Sequence, residues 1–147
     1  MTLLATLARC LLLLPIVLAG MENLPSPRTE QSGKAEIRAV FADVQQGITE
    51  ANVSLFSSHF HSQVRVTVRG GETGLYSANQ AYYLIENFLR VRKPLTFTFT
   101  TYGESESTPY ATGSAGYTYR GTRQHVQVYV ALACAGEHWV ITHINIY

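Results

Sequence analysis

The chain has 147 residues, of which 46% are hydrophobic and 14% charged, and its formal net charge is +1 at pH 7. This length predicts a single domain that is large enough to form its own core. A balance this close to neutral argues against nucleic acid or an anionic membrane as a partner, because such binding requires an excess of Lys and Arg.

Residues 1–19 have the pattern of a signal peptide. One positive charge, Arg9, precedes the apolar run Cys10–Ala19. That run is too short to cross a bilayer, but it has the length of a signal-peptide core. The alternative is an N-terminal anchor helix, against which Pro15 and the shortness of the run both argue. We therefore expect cleavage after residue 19.

The mature chain would have ten basic and ten acidic residues. Position 21 is Met21, where a lipoprotein would carry its lipid-bearing cysteine, so we expect an exported protein, periplasmic or secreted, without a stable membrane anchor. Residues 20–33 lack periodicity and predict a flexible tether, followed by one domain over residues 34–147. The remaining cysteine, Cys134, permits no internal disulfide and is expected to be an inert thiol, buried or half-buried.

Two helices are predicted at the start of this domain. Apolar residues at i, i+3, i+4 and i+7 predict a helix over Lys34–Gln46, which Gly47 would end in the left-handed conformation. Thr49 would cap a second, shorter helix. Its predicted buried residues are Val53, Phe56 and Phe60.

The next segment predicts a strand, a turn and a third helix. Valines alternate with polar residues over Val64–Val68, which is the period of a half-buried strand. A glycine-rich segment, residues 70–74, permits a sharp reversal. Ser77 and Gln80 then have the spacing of a capping box at the start of the third helix, and Pro94 ends that helix.

Four strands follow, over residues 95–100, 110–120, 126–132 and 139–147. Their short connections predict an antiparallel meander, and the small residues of the second strand predict a bend or a close approach. We therefore predict an α+β fold in which N-terminal helices pack on a strongly curved antiparallel sheet, in the order α-α-β-α-β-β-β-β.

Several sequence segments carry a family resemblance that covers about residues 34–147. They are V-F-A-D-V-Q-Q-G-I in the first helix, F-H-S-Q-V-R-V-T-V in the first strand, G-L-Y-S-A-N-Q-A before the third helix, and H-V-Q-V-Y-V-A-L and H-W-V-I-T-H-I-N-I near the end. The chain resembles the nuclear transport factor 2-like superfamily, whose fold is a cystatin-like α+β cone. Within it, the chain resembles a group of small exported bacterial domains of unknown function. Members often carry a lipoprotein cysteine, from which this chain departs at Met21. The resemblance implies a fold but no reaction.

Catalysis has weak support. Members resembling ketosteroid isomerase use a carboxylate base inside the cone, with a tyrosine or protonated acid that holds the oxyanion. The candidates here are Asp43, His125 and His143, but neither histidine has an assignable acid partner, and Asp43 is expected to point to solvent or to the rim of the cone. An isomerase or hydratase acting inside the cone is the alternative to a non-catalytic domain.

A metal site and a cofactor are not predicted. His59 and His61 resemble a metal-binding pair, but they would not share a face, and a site needs three or four converging ligands. We interpret them as surface residues that flank a buried Phe60.

The remaining signal is the abundance of tyrosine, nine residues in all. Sheet packing explains most of them, because tyrosine favours strands. The others could line the cone mouth or an exposed sheet face, since tyrosine combines an apolar body with a polar tip. The candidates for a ligand site or interface are Tyr83, Tyr102, Tyr117, Tyr119 and Tyr129. We therefore predict an exported, non-catalytic domain that binds a small apolar ligand or a protein partner through its curved sheet. The domain could also form a homodimer through the sheet.

Overall fold

The structure is a computed structural model that describes residues 30–103 and 107–147. Residues 1–29 lie outside the described residues. They include the predicted signal peptide and most of the predicted tether, with Met21. Within the described ranges, no helix is long and apolar enough to cross a membrane.

Two helices and six strands are formed by the described residues. The helices are α1, Glu30–Thr49, and α2, Ala78–Val91; two 3-10 turns, Val53–Leu55 and Ser57–His59, follow α1. The strands are β1 Phe60–Val68, β2 Thr73–Ser77, β3 Pro94–Gly103, β4 Tyr110–Tyr119, β5 Thr122–Ala135 and β6 His138–Ile146. They form one sheet in the order β2-β1-β6-β5-β4-β3. The predicted α+β class, a helical layer on a curved sheet, is confirmed.

Both helices pack on one face of the sheet, here called the inner face. One row across it runs Val68, Ile146, Val128, Gly113 and Phe99, each paired in register with the next. Apolar residues of α1, α2 and this face form a single core cluster. Alternation along the strands places every second residue on the opposite, outer face.

The predicted meander is confirmed for β3 to β6, whose consecutive strands pair antiparallel. The strand β1 departs from a simple meander, because it lies parallel to β6, with Val66 opposite Ile144. The first and last long strands of the domain are therefore neighbours near the middle of the sheet.

The small residues of β4 allow the close approach that the sequence predicted. Gly113 lies opposite Phe99 of β3, next to a shift in the register of the two strands. A methyl group at Gly113 would overlap the carbonyl oxygen of Thr98 and lie 2.9 Å from the Cα atom of Phe99. The close fit of β3 on β4 therefore requires glycine at this position.

The first helix is longer at both ends than the sequence predicted. It begins at Glu30, within the predicted tether, and continues to Thr49. The prediction that Gly47 ends it is wrong, because Gly47 is helical and the positive φ, 54°, is found at Ala51. Gly47 serves packing instead, since a methyl group there would overlap the ring of Phe56.

The predicted second helix is wrong. The segment forms the two 3-10 turns, the first of which is capped by the side chain of Asn52, which accepts from the backbone N–H of Ser54. Its apolar residues still reach the core, since Val53 and Phe56 are buried, whereas Phe60 is only partly so. Because β1 begins at Phe60, the segment between α1 and β1 is short, and it forms two 3-10 turns.

The glycine-rich segment contains a strand that the sequence analysis missed. After a turn at Gly70, whose φ is 72°, β2 pairs antiparallel with β1. The observed order is therefore α-β-β-α-β-β-β-β. The predicted capping box is confirmed: Ser77 Oγ accepts from the Gln80 backbone N–H at 3.3 Å, and Gln80 Oε1 accepts from the Ser77 N–H at 3.1 Å.

Candidate functional site

The three catalytic candidates do not come together. Asp43 lies on α1, on the helical side of the sheet. His125 and His143 alternate with the buried Val126 and Ile144, so both lie on the outer face. The sheet therefore separates the carboxylate from both histidines, and an isomerase-type acid and base are not assembled from these residues.

Asp43 instead pairs with His59. The distance from Asp43 Oδ2 to His59 Nε2 is 2.8 Å, and the two side chains are 46% and 28% exposed. His59, which the sequence analysis interpreted as a surface residue, is thus partly exposed and also paired with a carboxylate that the sequence did not indicate. The pair links the second 3-10 turn to α1. His61 makes no such link, because its Nδ1 contacts the backbone of Gln63, two residues along the chain. The described residues contain no group of three or more His, Cys, Asp or Glu side chains that could hold a metal ion.

Tyr117 belongs to the core and not to an exposed surface, which corrects its place among the interface candidates. Its side chain is 1% exposed, and its hydroxyl donates to Gln124 Oε1 at 2.9 Å. Tyr117 follows Ala115 in the alternation of β4, and both residues face the helices. The ring of Phe88 on α2 packs edge-on against it.

Two other candidate tyrosines are exposed on the helical side. Tyr83 lies on α2, is 55% exposed and contacts Tyr82 edge-on. Tyr102 is 54% exposed and contacts the edges of Phe41 and Phe99, where α1 meets β3. These two positions lie on different elements, α2 and β3.

Tyr119 is half-buried at the end of β4 and lies between two arginines. The guanidinium carbons of Arg92 and Arg120 are 5.0 and 5.2 Å from the centre of its ring. Arg92 also lies 5.0 Å from the ring of Phe88. Such distances are typical of cation–π contacts, which hold both guanidinium groups at this end of the sheet.

Tyr129 lies near the middle of the outer face, where it stacks on Tyr110. The ring centres are 5.6 Å apart and the planes are inclined by 29°. The ring of Tyr110 lies over Gly103 of the neighbouring strand, where any side chain would overlap it. Tyr110 was not among the candidates from the sequence, because the pairing of β4 with β5 that places it beside Ala131 depends on the tertiary fold.

Uncharged side chains surround this stack. Asn145 lies beside Tyr129 in register, and Thr112 lies on its other side. We call this group the tyrosine patch: Tyr110, Tyr129, Thr112, Thr67 and Asn145. All five side chains are half-buried, although no helix of the described residues packs on this face.

His143 and Arg65 border the tyrosine patch. Burial and the nearby Arg65 guanidinium lower the pKa of His143, so its neutral form is favoured. The Nδ1 atom of His143 lies 3.0 Å from the hydroxyl of Thr142. Neither histidine nor arginine is matched by a carboxylate in the same row, which runs from Leu75 through Arg65, His143 and Ala131 to Tyr110.

Cys134 is exposed, so the prediction of a buried or half-buried thiol is wrong. It lies at the end of β5, where its Sγ donates to the carbonyl of Gly136 at 3.3 Å. This position lies next to the turn between β5 and β6.

Comparison with protein families identifies one family model that matches the chain. A family model described as a domain of unknown function (DUF4783) matches residues 41–147. None of the curated proteins matches the chain.

Solved structures show the same fold at low sequence identity. A DUF4783 family protein from Bacteroides ovatus is 16% identical, with a TM-score of 0.64, over 71% of this chain and 91% of that one. Another from Bacteroides uniformis is 14% identical, with a TM-score of 0.64, over 71% and 93%. An NTF2-like protein from Anabaena variabilis is 14% identical, with a TM-score of 0.63, over 81% and 90%. The predicted nuclear transport factor 2-like fold is confirmed.

Proposed function

The chain belongs to the DUF4783 family, and from that premise we propose that it is a non-catalytic interaction domain whose partner is a second copy of itself, bound through the outer face of the sheet. The observation that carries this proposal is the tyrosine patch. A stacked tyrosine pair near the centre of a sheet face, with no covering helix among the described residues, has the composition of an interface.

The outer face is favoured over the interior because the interior is packed. Between the helices and the sheet, the buried apolar side chains of the described residues form one cluster, in which residues such as Val44, Phe56 and Ile85 are fully inaccessible to solvent. In the described part of the chain, the hydroxyl of Tyr117 is buried, but it is already satisfied by Gln124, and no charged side chain is buried. A ligand inside the cone would usually be oriented by a few such groups, so a surface interaction agrees better with these residues.

A second copy fits the outer face because of its chemistry and shape. The tyrosine patch carries no charge, so two copies related by a two-fold axis could face each other without burying an unpaired carboxylate. Sheets that pack face to face lie about 10 Å apart, which half-buried tyrosine and threonine side chains can fill. Because both tyrosines are already half-buried, they would supply only part of the roughly 800 Å² that a specific interface buries on each partner, and the surrounding residues of the outer face would supply the rest.

Sedimentation equilibrium of the purified domain tests this proposal. We expect the wild-type chain to be dimeric within the range from about 1 µM to about 1 mM. The substitution Tyr129→Glu places a charge in the tyrosine patch and should give a monomer. The control Tyr83→Glu alters an equally aromatic, exposed position on α2 and should leave the dimer intact. A wild-type monomer across the range, or equal effects of the two substitutions, would overturn the proposal.

We also propose that residues 1–19 direct the chain out of the cytoplasm. The support is the single positive charge at Arg9 before a short apolar run. Expression of the full chain in a Gram-negative host, followed by fractionation and mass measurement, should give a periplasmic protein that lacks these residues. A full-length mass in the cytoplasmic fraction would contradict it.

A further inference from the structure

One corner of the sheet carries several cations. They belong to the turn between β4 and β5 and to the segment that joins α2 to β3: Arg92, Lys93, Arg120 and Arg123. The register brings these two segments together, because Pro94, the first residue of β3, pairs with Tyr117 near the end of β4. We call these four residues, together with Tyr119, the cationic corner.

Aromatic rings hold two of the cations in place. The guanidinium carbon of Arg92 lies 5.0 Å from the ring centres of both Phe88 and Tyr119, and that of Arg120 lies 5.2 Å from the ring centre of Tyr119. Cation–π contacts restrict these side chains but leave guanidinium N–H groups that can bind an anion. The two charges are therefore positioned before any partner arrives.

The other two cations lie on the outer side of the same corner. Arg123 pairs in register with Thr118, and both side chains are exposed. Lys93 directly precedes Pro94, so it comes level with Thr118 from the neighbouring strand. Lys93 and Arg123 are therefore two strand spacings, or about 10 Å, apart. The corner presents positive charge on both sides of the turn.

Acidic side chains do not neutralise these cations. In the described residues, no carboxylate lies within ion-pair distance of any of the four. Two acids of neighbouring segments, Glu50 and Glu72, accept hydrogen bonds from Gln46 and Tyr76 instead. The near-neutral net charge, which argued against an anionic membrane as a partner, therefore does not describe this corner.

The backbone at Arg120 is unusual for its residue type. Arg120 and Gly121 have φ angles of 49° and 76°, so they form a two-residue turn of type I′. The first position of this turn favours asparagine or glycine, because most other side chains are strained at positive φ. An arginine at the tip against this preference indicates a role other than the stability of the turn.

An exposed apolar side chain lies beside the cations. Val91 is the last residue of α2, directly precedes Arg92 and is 57% exposed. Arg90, on its other side, is a further exposed cation. An apolar side chain among Lys and Arg is typical of protein surfaces that adsorb to lipid bilayers, where the charges meet lipid phosphates and the apolar group enters the interface.

We infer that the cationic corner binds the surface of an anionic phospholipid bilayer. Its four cations meet the lipid phosphates, while Val91 and the aliphatic stems of the cations lie in the interfacial layer. Binding of this kind is peripheral and reversible, so it differs from the stable anchor that the sequence analysis argued against. The corner contains no residue of the tyrosine patch, and the inference does not depend on self-association.

Val91 decides between a bilayer and a soluble polyanion. A nucleic acid would use the cations but would leave the valine in water, because its backbone offers phosphates and no apolar layer. A bilayer uses both features together.

Vesicle co-sedimentation tests the inference. The protein, purified in the form that the expression host accumulates, is mixed with vesicles of phosphatidylcholine alone or of phosphatidylcholine and phosphatidylglycerol in equal parts. We expect binding to the anionic vesicles to be at least about tenfold tighter, and to weaken as salt is raised to about 0.5 M, because salt screens the charges. The readout is the ratio between the two vesicle types, in which apolar partition that does not depend on lipid charge cancels.

Three variants locate the site. Arg120→Asn removes one cation and gives the turn a residue that it favours, so binding to anionic vesicles should weaken about fivefold while the urea midpoint does not fall. Val91→Ser should weaken binding about threefold, because part of one valine no longer leaves water. The control Arg38→Gln removes an exposed cation near Glu36, which contacts the backbone of Trp139 at the start of β6, and should change binding by less than about twofold. Circular dichroism verifies that each variant is folded, and the exposed Lys93→Gln replaces Arg120→Asn if that variant is not.

Several results would overturn the inference. The first is absence of binding at about 1 mM anionic lipid, or equal binding to anionic and neutral vesicles. The second is equal weakening by Arg120→Asn and Arg38→Gln. The third is unchanged binding of Val91→Ser together with tighter binding of soluble polyphosphate or a single-stranded oligonucleotide than of vesicles, because the corner would then recognise charge alone.

Discussion

Replacing Gly113 by alanine should be among the most damaging single-methyl changes in the domain. The new methyl group would overlap the Thr98 carbonyl oxygen and lie 2.9 Å from both Thr98 C and Phe99 Cα. These are main-chain atoms of the paired strand, so no side chain can rotate away. The two strands must separate locally, which strains the ladder between β3 and β4.

The expected loss follows from these contacts. Overpacking of a well-packed site costs about 1–3 kcal/mol, and a weakened backbone hydrogen bond costs about 1 kcal/mol more. Replacing glycine in a strand recovers roughly 0.5–1 kcal/mol, because the unfolded chain loses freedom. We therefore expect Gly113→Ala to lower the free energy of unfolding by about 2–3 kcal/mol, out of a typical total of about 5–15 kcal/mol.

Urea denaturation followed by fluorescence of Trp139, the one tryptophan of the chain, measures this loss. The matched control is Gly116→Ala, three residues along the same strand. Its methyl group would meet the flexible ring of His125 at 3.4 Å and no closer atom, so stability should stay within about 1 kcal/mol of wild type. If Gly113→Ala unfolds at the wild-type midpoint, or if both variants lose the same free energy, the close approach of the strands is refuted.

Three further changes test other contacts by the same denaturation assay. Ser77→Ala removes the capping box and should cost about 1 kcal/mol. Asp43→Ala should cost about 0.5–1 kcal/mol, because its pair with His59 is partly exposed, and a double-mutant cycle with His59→Ala should show that the two losses are coupled. Burial and Arg65 lower the pKa of His143, so the unfolded chain takes up this proton first as the pH falls. The stability that depends on neutral His143 should therefore be present above the ordinary histidine pKa of about 6.5 and be lost below it, and His143→Gln should reduce the difference in stability between about pH 7.5 and pH 5.5.

Each of these has a distinct contrary result. An unchanged midpoint for Ser77→Ala would mean that the cap contributes nothing to α2. Additive losses in the cycle would show that Asp43 and His59 do not interact in solution. An equal pH dependence in wild type and His143→Gln would place the titrating groups elsewhere.

Local patterns in the sequence predicted most elements, because each depends on neighbouring residues. The stripe of α1, the alternation of β1 and the capping box of Ser77 and Gln80 all correspond to what is observed. β2 was not predicted because its short sequence contains Gly74 and follows two glycines. It is held as a strand by its pairing with β1, which its composition does not indicate.

Positions on the two faces of the sheet were harder to predict. In β4, small or polar residues occupy both the odd-numbered and the even-numbered positions. The sequence therefore does not indicate whether Tyr117 or Tyr110 faces the helices. The pair of Asp43 and His59 depends on the length of α1 and on the path of two turns, neither of which has a periodic signal.

The parallel pairing of β1 with β6 has a consequence for how the domain acquires its structure during synthesis. β1 has only β2 as a neighbour until residues 138–146 have left the ribosome, because β6 is its only link to β5. Without β6, no backbone pairing connects β2 and β1 with β5, β4 and β3. Joining them closes a long loop, a contact of the kind that slows folding. The pairing of β6 with both β1 and β5 therefore completes the sheet, whose two parts cannot be joined before residues 138–146 are available.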